Sequence, residues 1–389
     1  MVWTLGFVSL LMDASSELVH ALLPLYLVSA FGASVFVVGV IEGIAEAIAL
    51  VVKVFSGYLS DVFRRRKALV LLGYGLAAVS KLAFPLAPTL AWLVAARFAD
   101  RFGKGVRGAP RDALIADFAP AAVRGAAFGL RQALDSVGAI AGPLLALAAM
   151  LHFGGDFRAV FWIAVIPAML CMVLLVAGVR EPRAALEAGR PGARVSWRDA
   201  RRLDRRFVAV AAIAFVLTLA RFSEAFLVLR AQGAGLGTLG APWAMVAMSA
   251  VYAAVAFPAG RCADRGYARA LLHAGLAALI ASHSVLALAT GVPAVLIGAG
   301  LWGLHMALTQ GLLSALVAAT APADLRGTAF GVFNLATGVA LLVASALAGY
   351  LWQAFGPSTT FAAGAAFALV AWGALVAQRR RIPRLATSG

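Results

Sequence analysis

The chain has 389 residues, 63% of them hydrophobic and only 13% charged, with a formal net charge of +16. A soluble globular chain carries about 25% charged residues, so a water-soluble fold of this composition is excluded: it would have no polar exterior. The basic excess does not point to nucleic acid either, because 22 of the 33 Lys and Arg fall in loops or tails that share one side if apolar helices alternate, while the opposite loops carry only Arg158.

That asymmetry is the positive-inside bias, and it places both termini in the cytoplasm. Apolar runs of roughly 20 residues recur along the chain, each long enough to span a bilayer as a helix. Turn and charge signals predict an all-α polytopic membrane protein of twelve helices. The first six are 3–29, 34–59, 67–88, 90–113, 125–150 and 157–179. After an Arg-rich linker, 180–206, come 207–231, 240–260, 268–290, 292–318, 326–350 and 357–378, and then a tail, 379–389.

In the first helix, Asp13, Ser16, Glu17, His20 and Pro24 share an arc of about 100° at helical spacing. Asp13 and Glu17 interrupt what would be the apolar region of a signal peptide, so none is expected. A carboxyl in a low-dielectric cavity can exchange protons near neutral pH. Asp13 and Glu17 are therefore candidate proton carriers, against the plainer reading of a satisfied polar face. Carboxylates with His20 would also suit a metal ion, but no soft ligand accompanies them and the fourth helix is basic, so no metal site is expected. In the second helix Glu42, Glu46 and Lys53 lie within about 40°. They either line a cavity or hold the N-terminal half together. Lys81, alone on the third helix, is expected to pair with an acid.

The fourth helix contains RFADRFGKGVRGAPRD, residues 97–112, with seven charges in sixteen positions. Its Gly103, Gly105 and Gly108 match the G-x-G-x-x-G spacing of a phosphate loop, but no strand precedes them and no βαβ unit surrounds them. At 100° per residue the seven charges occupy an arc of about 140°, as expected of a helix with its other side toward lipid, where charge costs several kcal/mol. Buried charges need partners. Arg97, Asp100, Arg101 and Lys104 are thus expected to pair with acids of helices 1, 2 and 5, and some of the bases to contact substrate. In the fifth helix Arg131, Asp135, Gly138 and Gly142 fall within about 60°. Arg131 and Asp135 are placed to pair at i, i+4, with coupling as an alternative role for Asp135.

Glu224 is the sole intramembrane acid predicted in the C-terminal half. It pairs with Arg221 at i, i+3 on a continuous seventh helix, or it takes part in coupling or substrate contact. His305, Gln310 and Asn334 are polar cavity candidates that serve equally as interhelical hydrogen-bonding groups. Cys171 and Cys262 have no disulfide or metal-type spacing. Nucleophile-elbow, zincin and Walker signatures are absent, so no catalytic residue is expected.

The two halves repeat. ADFAPAAVRGAAFGL from Ala116 and AATAPADLRGTAFGV from Ala318 agree at nine of fifteen positions at an offset of 202. GYLSD, with Gly57 and Asp61, answers to GRCAD at an offset of 203. Six helices per half give both repeats the same membrane orientation, the parallel arrangement in which substrate sits near the midplane.

GYLSDVFRRRK, through Gly57, Asp61, Arg65 and Arg66, resembles the helix 2–3 loop signature of the major facilitator superfamily, with Arg64 where that family usually has glycine. RFADRFGKG resembles its fourth-helix signature, and Gly138-Ala-Ile-Ala-Gly142-Pro143 its fifth-helix G-x-x-x-G-P element, often seen in antiporters. The resemblance implies alternating access between two halves and a cavity lined mainly by helices 1, 4, 7 and 10. It implies a gating role for Gly57, Asp61, Arg65 and Arg66, where the plainer reading is a tight basic loop. The expected function is secondary transport of a small polar, charged or amphipathic solute across an inner membrane, proton-coupled and leaning to efflux. A divalent-metal or metal-chelate transporter is the alternative, and a non-transport membrane sensor a more distant one. No cofactor is expected, only a proton gradient. The expected partners are a small-molecule substrate and the lipid bilayer, with no nucleic acid, and the chain is expected to work as a monomer.

Overall fold

The computed structural model describes residues 1–63, 65–120, 123–180, 203–321 and 325–377. Most of the predicted linker and all of the predicted tail lie outside them, as do Arg64 and Asp324. Among the described residues the chain is all-α, without a strand. The first half forms α1 (Val2–Phe31), α2 (Val35–Phe63), α3 (Arg66–Ala83), α4 (Leu90–Phe118), α5 (Arg124–His152) and α6 (Phe157–Gly178). The second forms α7 (Arg205–Leu219), α8 (Ala225–Ala231), α9 (Trp243–Cys262), α10 (Ala268–Leu288), α11 (Val292–Thr320), α12 (Arg326–Phe355) and α13 (Pro357–Ala377).

Local chemistry accounts for several boundaries. Gly32 ends α1 in the left-handed region, φ +62°, which costs glycine nothing. Thr89 caps α4 by accepting from the Trp92 N–H, and Asp156 caps α6 by accepting from Arg158 and Ala159 N–H. The third helix is shorter than the predicted 67–88. It stops at Ala83, where Pro85 offers no N–H to continue it, and the Trp92 indole donates to the Ala83 carbonyl at 3.0 Å. The predicted seventh helix, 207–231, is not continuous: α7 ends at Leu219 and α8 begins at Ala225.

Among the described residues, eight spans are long and apolar enough to cross a membrane by length and composition, one of them, Trp243–Leu288, running through α9 and α10. Neither α3 nor α4 is among them; α4 spends one side on charge. The exterior is apolar, with Leu72, Val79, Val173, Phe257 and Leu288 more than half exposed, while Lys81, Arg97, Asp100 and Arg101 are almost wholly buried. A charged interior under an apolar surface suits hydrocarbon as solvent.

The chain divides into two compact units, Met1–Gly32 with Ile44–Arg194, and Ala33–Gly43 with Val195–Gly389. In the first, α3 lies against α4 and α6, and α1 against α5 and α6. In the second, α10 lies against α11 and α13, and α12 against α7 and α13. The α3–α4 contact is close because Gly73 faces Gly103: a Cβ on Gly73 would stand 2.8 Å from the Gly103 carbonyl oxygen. At the repeat offset of 202, Gly275 of α10 faces α11, where a Cβ would meet the Thr309 methyl.

Candidate functional site

The fourth helix organises the first unit. Lys81 Nζ of α3 donates to Asp100 Oδ1 at 2.7 Å, with both side chains almost fully buried. Arg97 lies 3.9 Å from Asp100 and 3.9 Å from Glu46 of α2. Arg101 reaches the same Glu46 oxygen at 3.2 Å. Nearly two turns on, Arg107 pairs with Asp13 of α1 at 3.5 Å and covers the Tyr74 ring at 4.6 Å. Arg111 pairs with Asp112 at 3.1 Å and donates to Ser9 Oγ at 2.8 Å. From α5, Arg131 reaches Asp112 at 3.7 Å and forms an ion pair with Asp135. Glu17 and His20 meet at 3.3 Å on α1.

Two of the phosphate-loop glycines, Gly103 and Gly105, are packing positions. A Cβ on Gly103 would stand 2.6 Å from the Gly73 carbonyl oxygen, and one on Gly105 2.9 Å from that of Ala49. Gly138 and Gly142 of α5 play the same part against α1. A Cβ on Gly138 would stand 2.6 Å from Leu10 O and 3.1 Å from the Asp13 Cβ; one on Gly142 would stand 2.7 Å from both Ala14 O and the Glu17 Cβ. These two glycines therefore set the depth at which Asp13 and Glu17 sit against α5. Pro143 follows them, buried within the same helix.

Six of the seven charged side chains in 97–112 are held in ion pairs inside this unit. The seventh is Lys104. Among the described residues it makes no hydrogen bond or ion pair, and its side chain is exposed. It stands within electrostatic reach of Asp13, Glu17 and Glu46, whose side chains are 22%, 20% and 24% exposed. One free cation and three partly open carboxylates thus share a region of the first unit.

At the start of α3, Arg66 forms an ion pair with Asp117 at the end of α4 and donates to the Ala113 carbonyl. Arg65 is exposed and Gly57 half-buried; the Asp61 side chain lies outside the described residues. Asp117 was absent from the sequence-derived candidates. Its signal was in the repeat, where ADF in the first copy is answered by AAT in the second.

In the second unit Arg221 stands within electrostatic reach of His305. Arg221 and Glu224 stand at the gap between α7 and α8, both half-buried. Because residues 221–223 are not helical, the i, i+3 helical neighbourhood expected for this pair does not exist. His305 is fully buried and its Nδ1 meets the Gly275 carbonyl at 2.8 Å. Gln310 and Asn334 are half-buried on α11 and α12. Glu42, in the part of α2 that groups with the second unit, is fully buried. Among the described residues no three His, Cys, Asp or Glu side chains are placed to hold a metal ion.

At the repeat offset the two units answer each other with different chemistry. The counterpart of the Lys81–Asp100 ion pair is His283–Trp302, an edge-to-face ring contact with centroids 5.2 Å apart. The counterpart of Arg101–Glu46 is Gly303 against the Met248 backbone. The first unit is built on charge and the second on rings and backbone.

The sequence matches the family model described as Major Facilitator Superfamily over residues 5–242 and 225–388. An uncharacterized MFS-type transporter of Methanocaldococcus jannaschii is 32% identical over 378 residues, covering 95% of this chain and 92% of the relative. A POT family transporter crystallised in complex with 5-aminolevulinic acid has a TM-score of 0.83 at 13% identity, covering 98% of this chain and 96% of that one. The human organic anion transporter MFSD10 (TETRAN) has a TM-score of 0.71 at 18% identity, covering 96% and 98%. At these identities the two structures establish a shared fold and nothing further.

Proposed function

The chain belongs to the major facilitator superfamily, and from that premise we propose that it is a proton-coupled secondary transporter of a small solute carrying an anionic group, either an anion or a zwitterion. The observation that carries this reading is Lys104. A buried base with a fixed carboxylate partner is already neutralised, whereas Lys104 has no such partner among the described residues and is accessible. A solute carboxylate or phosphate would complete its charge, and the open edges of Asp13, Glu17 and Glu46 would accept an ammonium group. Asp13, Glu17 and Asp135 are the proton carriers in this reading, because protonating a carboxylate beside an arginine changes the local charge balance that a solute meets. Arg107 holds Asp13, Arg131 holds Asp135 and His20 meets Glu17. The G-x-x-x-G-P element of α5 favours efflux by antiport. The basic asymmetry of the loops favours an inner membrane of bacterial type, with both termini cytoplasmic.

The test starts from purified protein and a thermal-shift panel of organic anions, zwitterions, organic cations and divalent metals. Stabilisation is expected from solutes bearing a carboxylate or phosphate. Lys104→Gln is expected to weaken it by roughly 10–100-fold in affinity, the worth of one charge-assisted hydrogen bond, and Lys104→Arg to keep most of it. Stabilisation confined to cations or metals, or anion binding indifferent to Lys104→Gln, would sink the substrate class. Coupling is tested separately with the strongest ligand of that panel in proteoliposomes. Glu17→Gln and Asp135→Asn should lose accumulation driven by a pH gradient yet retain counterflow exchange. If both accumulate solute as the unmodified protein does, the proton carriers lie elsewhere.

A further inference from the structure

The gap between α7 and α8 is not made by proline or glycine. Sharp breaks in helices ordinarily occur at proline, at glycine or where a side chain inserts into the hydrogen-bond ladder. Residues 217–226, LTLARFSEAF, contain neither proline nor glycine. In hydrocarbon an unmade backbone hydrogen bond costs several kcal/mol, so the groups freed by the break must be met by something else.

Two side chains from neighbouring helices meet them. His283 Nε2 of α10 lies 2.8 Å from the Ala220 carbonyl oxygen. A carbonyl only accepts, so Nε2 carries the proton. Ser345 Oγ of α12 accepts from the Ser223 N–H at 3.1 Å. Within the gap, Ser223 Oγ accepts from the Ala225 N–H and starts α8. Phe222 turns into a cluster of rings, with centroids 5.4 Å from His283, 5.5 Å from Trp302 and 5.6 Å from Phe361. Room for the imidazole comes from Gly364 of α13, where a Cβ would overlap the His283 ring.

We propose that His283 is a positioning residue: by donating to the Ala220 carbonyl, with Ser345 on the other side, it holds the seventh membrane segment open at 220–224 and so presents Arg221 and Glu224 from a non-helical hinge. The inference does not depend on which solute is carried. It gives a role to a histidine whose hydrogen bond goes to the backbone of the hinge at Ala220. At the repeat offset His283 stands where the first unit has Lys81, which pairs with Asp100 instead; the corresponding first helix, α1, has no such gap across residues 2–31.

Hydrogen–deuterium exchange of the full-length protein in lipid nanodiscs reads this directly from peptides covering 217–228. His283→Phe keeps a ring of similar size and removes the donor. It is expected to change exchange at 221–225 by roughly tenfold, faster if the segment frays and slower if it closes into a continuous helix. Either direction identifies His283 as the group that holds the break. His283→Gln, whose amide can donate to the same carbonyl, is expected to restore exchange to within about twofold of the unmodified rate, with peptides of α5 unchanged throughout. Exchange in His283→Phe within about twofold of the unmodified protein would overturn the proposal, as would a His283→Gln protein indistinguishable from His283→Phe. If His283→Phe yields no folded protein, Ser345→Ala is read the same way: an altered rate at Ser223 supports the clamp and an unaltered one overturns it.

Discussion

Asp100→Asn is expected to destabilise the protein by about 3–5 kcal/mol, the loss found when one partner of a buried ion pair is removed and the other is left uncompensated. Lys81 is fully buried and donates to Asp100 at 2.7 Å. No water reaches its ammonium group to replace the lost carboxylate. Arg97, 3.9 Å from the same carboxylate, loses a partner too, although it keeps Glu46. The decisive comparison is a double variant. Lys81→Met with Asp100→Leu removes both charges and fills similar volume, and a buried pair replaced in this way is often neutral in stability. The double variant should therefore melt above Asp100→Asn, by roughly 5 °C if most of the loss is recovered. Thermal melting of the purified protein in one detergent decides it. A single variant within about 1 kcal/mol of the unmodified protein, or a double variant no better than the single, would show that the pair is hydrated or replaceable in a way its burial does not suggest.

The second large effect is steric. Gly142→Val should cost upwards of about 3 kcal/mol, at or beyond the upper end of what overpacking usually costs. The added atoms would meet Ala14 O and Leu18 N, at 2.7 and 2.8 Å from the first carbon alone. These are backbone atoms of α1 and cannot rotate away. The helices must separate, and Asp13 and Glu17 move with α1. Gly129→Val is the control on the same helix, because nothing lies within 4 Å of a Cβ there; it carries the same change in propensity without the clash. Expected results are low yield and a depressed melting temperature for Gly142→Val, and near-normal behaviour for Gly129→Val. Equal melting of the two variants would mean that α1 and α5 are farther apart than the geometry has them.

Periodicity made the one-sided charge of α4 legible, because a helical face is a property of spacing alone. The same spacing placed Arg131 beside Asp135, and the two do pair. Spacing cannot say which helix lies opposite. That Arg101 meets Glu46, that Arg107 meets Asp13, and that Arg66 meets Asp117 depend on interhelical register, which a single chain pattern does not encode. The break at 220–224 was illegible for a sharper reason. Its own residues are acceptable helix formers, and the determinants are His283, Ser345, Trp302, Phe361 and Gly364, all far along the chain. The end of α3 shows the opposite case: Pro85 marked it locally, and the prediction overran it by following the apolar run instead.

The pairing of α4 also constrains how the protein is made. A helix carrying seven charges cannot leave the translocon for lipid by itself, when a single central Asp, Lys or Arg already costs about 2.5–3.5 kcal/mol to insert. When α4 emerges from the ribosome, Asp13, Glu46 and Lys81 have already been synthesised, whereas Arg131, which reaches Asp112, has not. The first segments must therefore wait beside the channel until α4 joins them, and the cytoplasmic end of α4 is completed only when α5 arrives. The N-terminal half is therefore expected to enter the bilayer as an assembled group, with the order of its helices in the chain helping to make its charged interior possible.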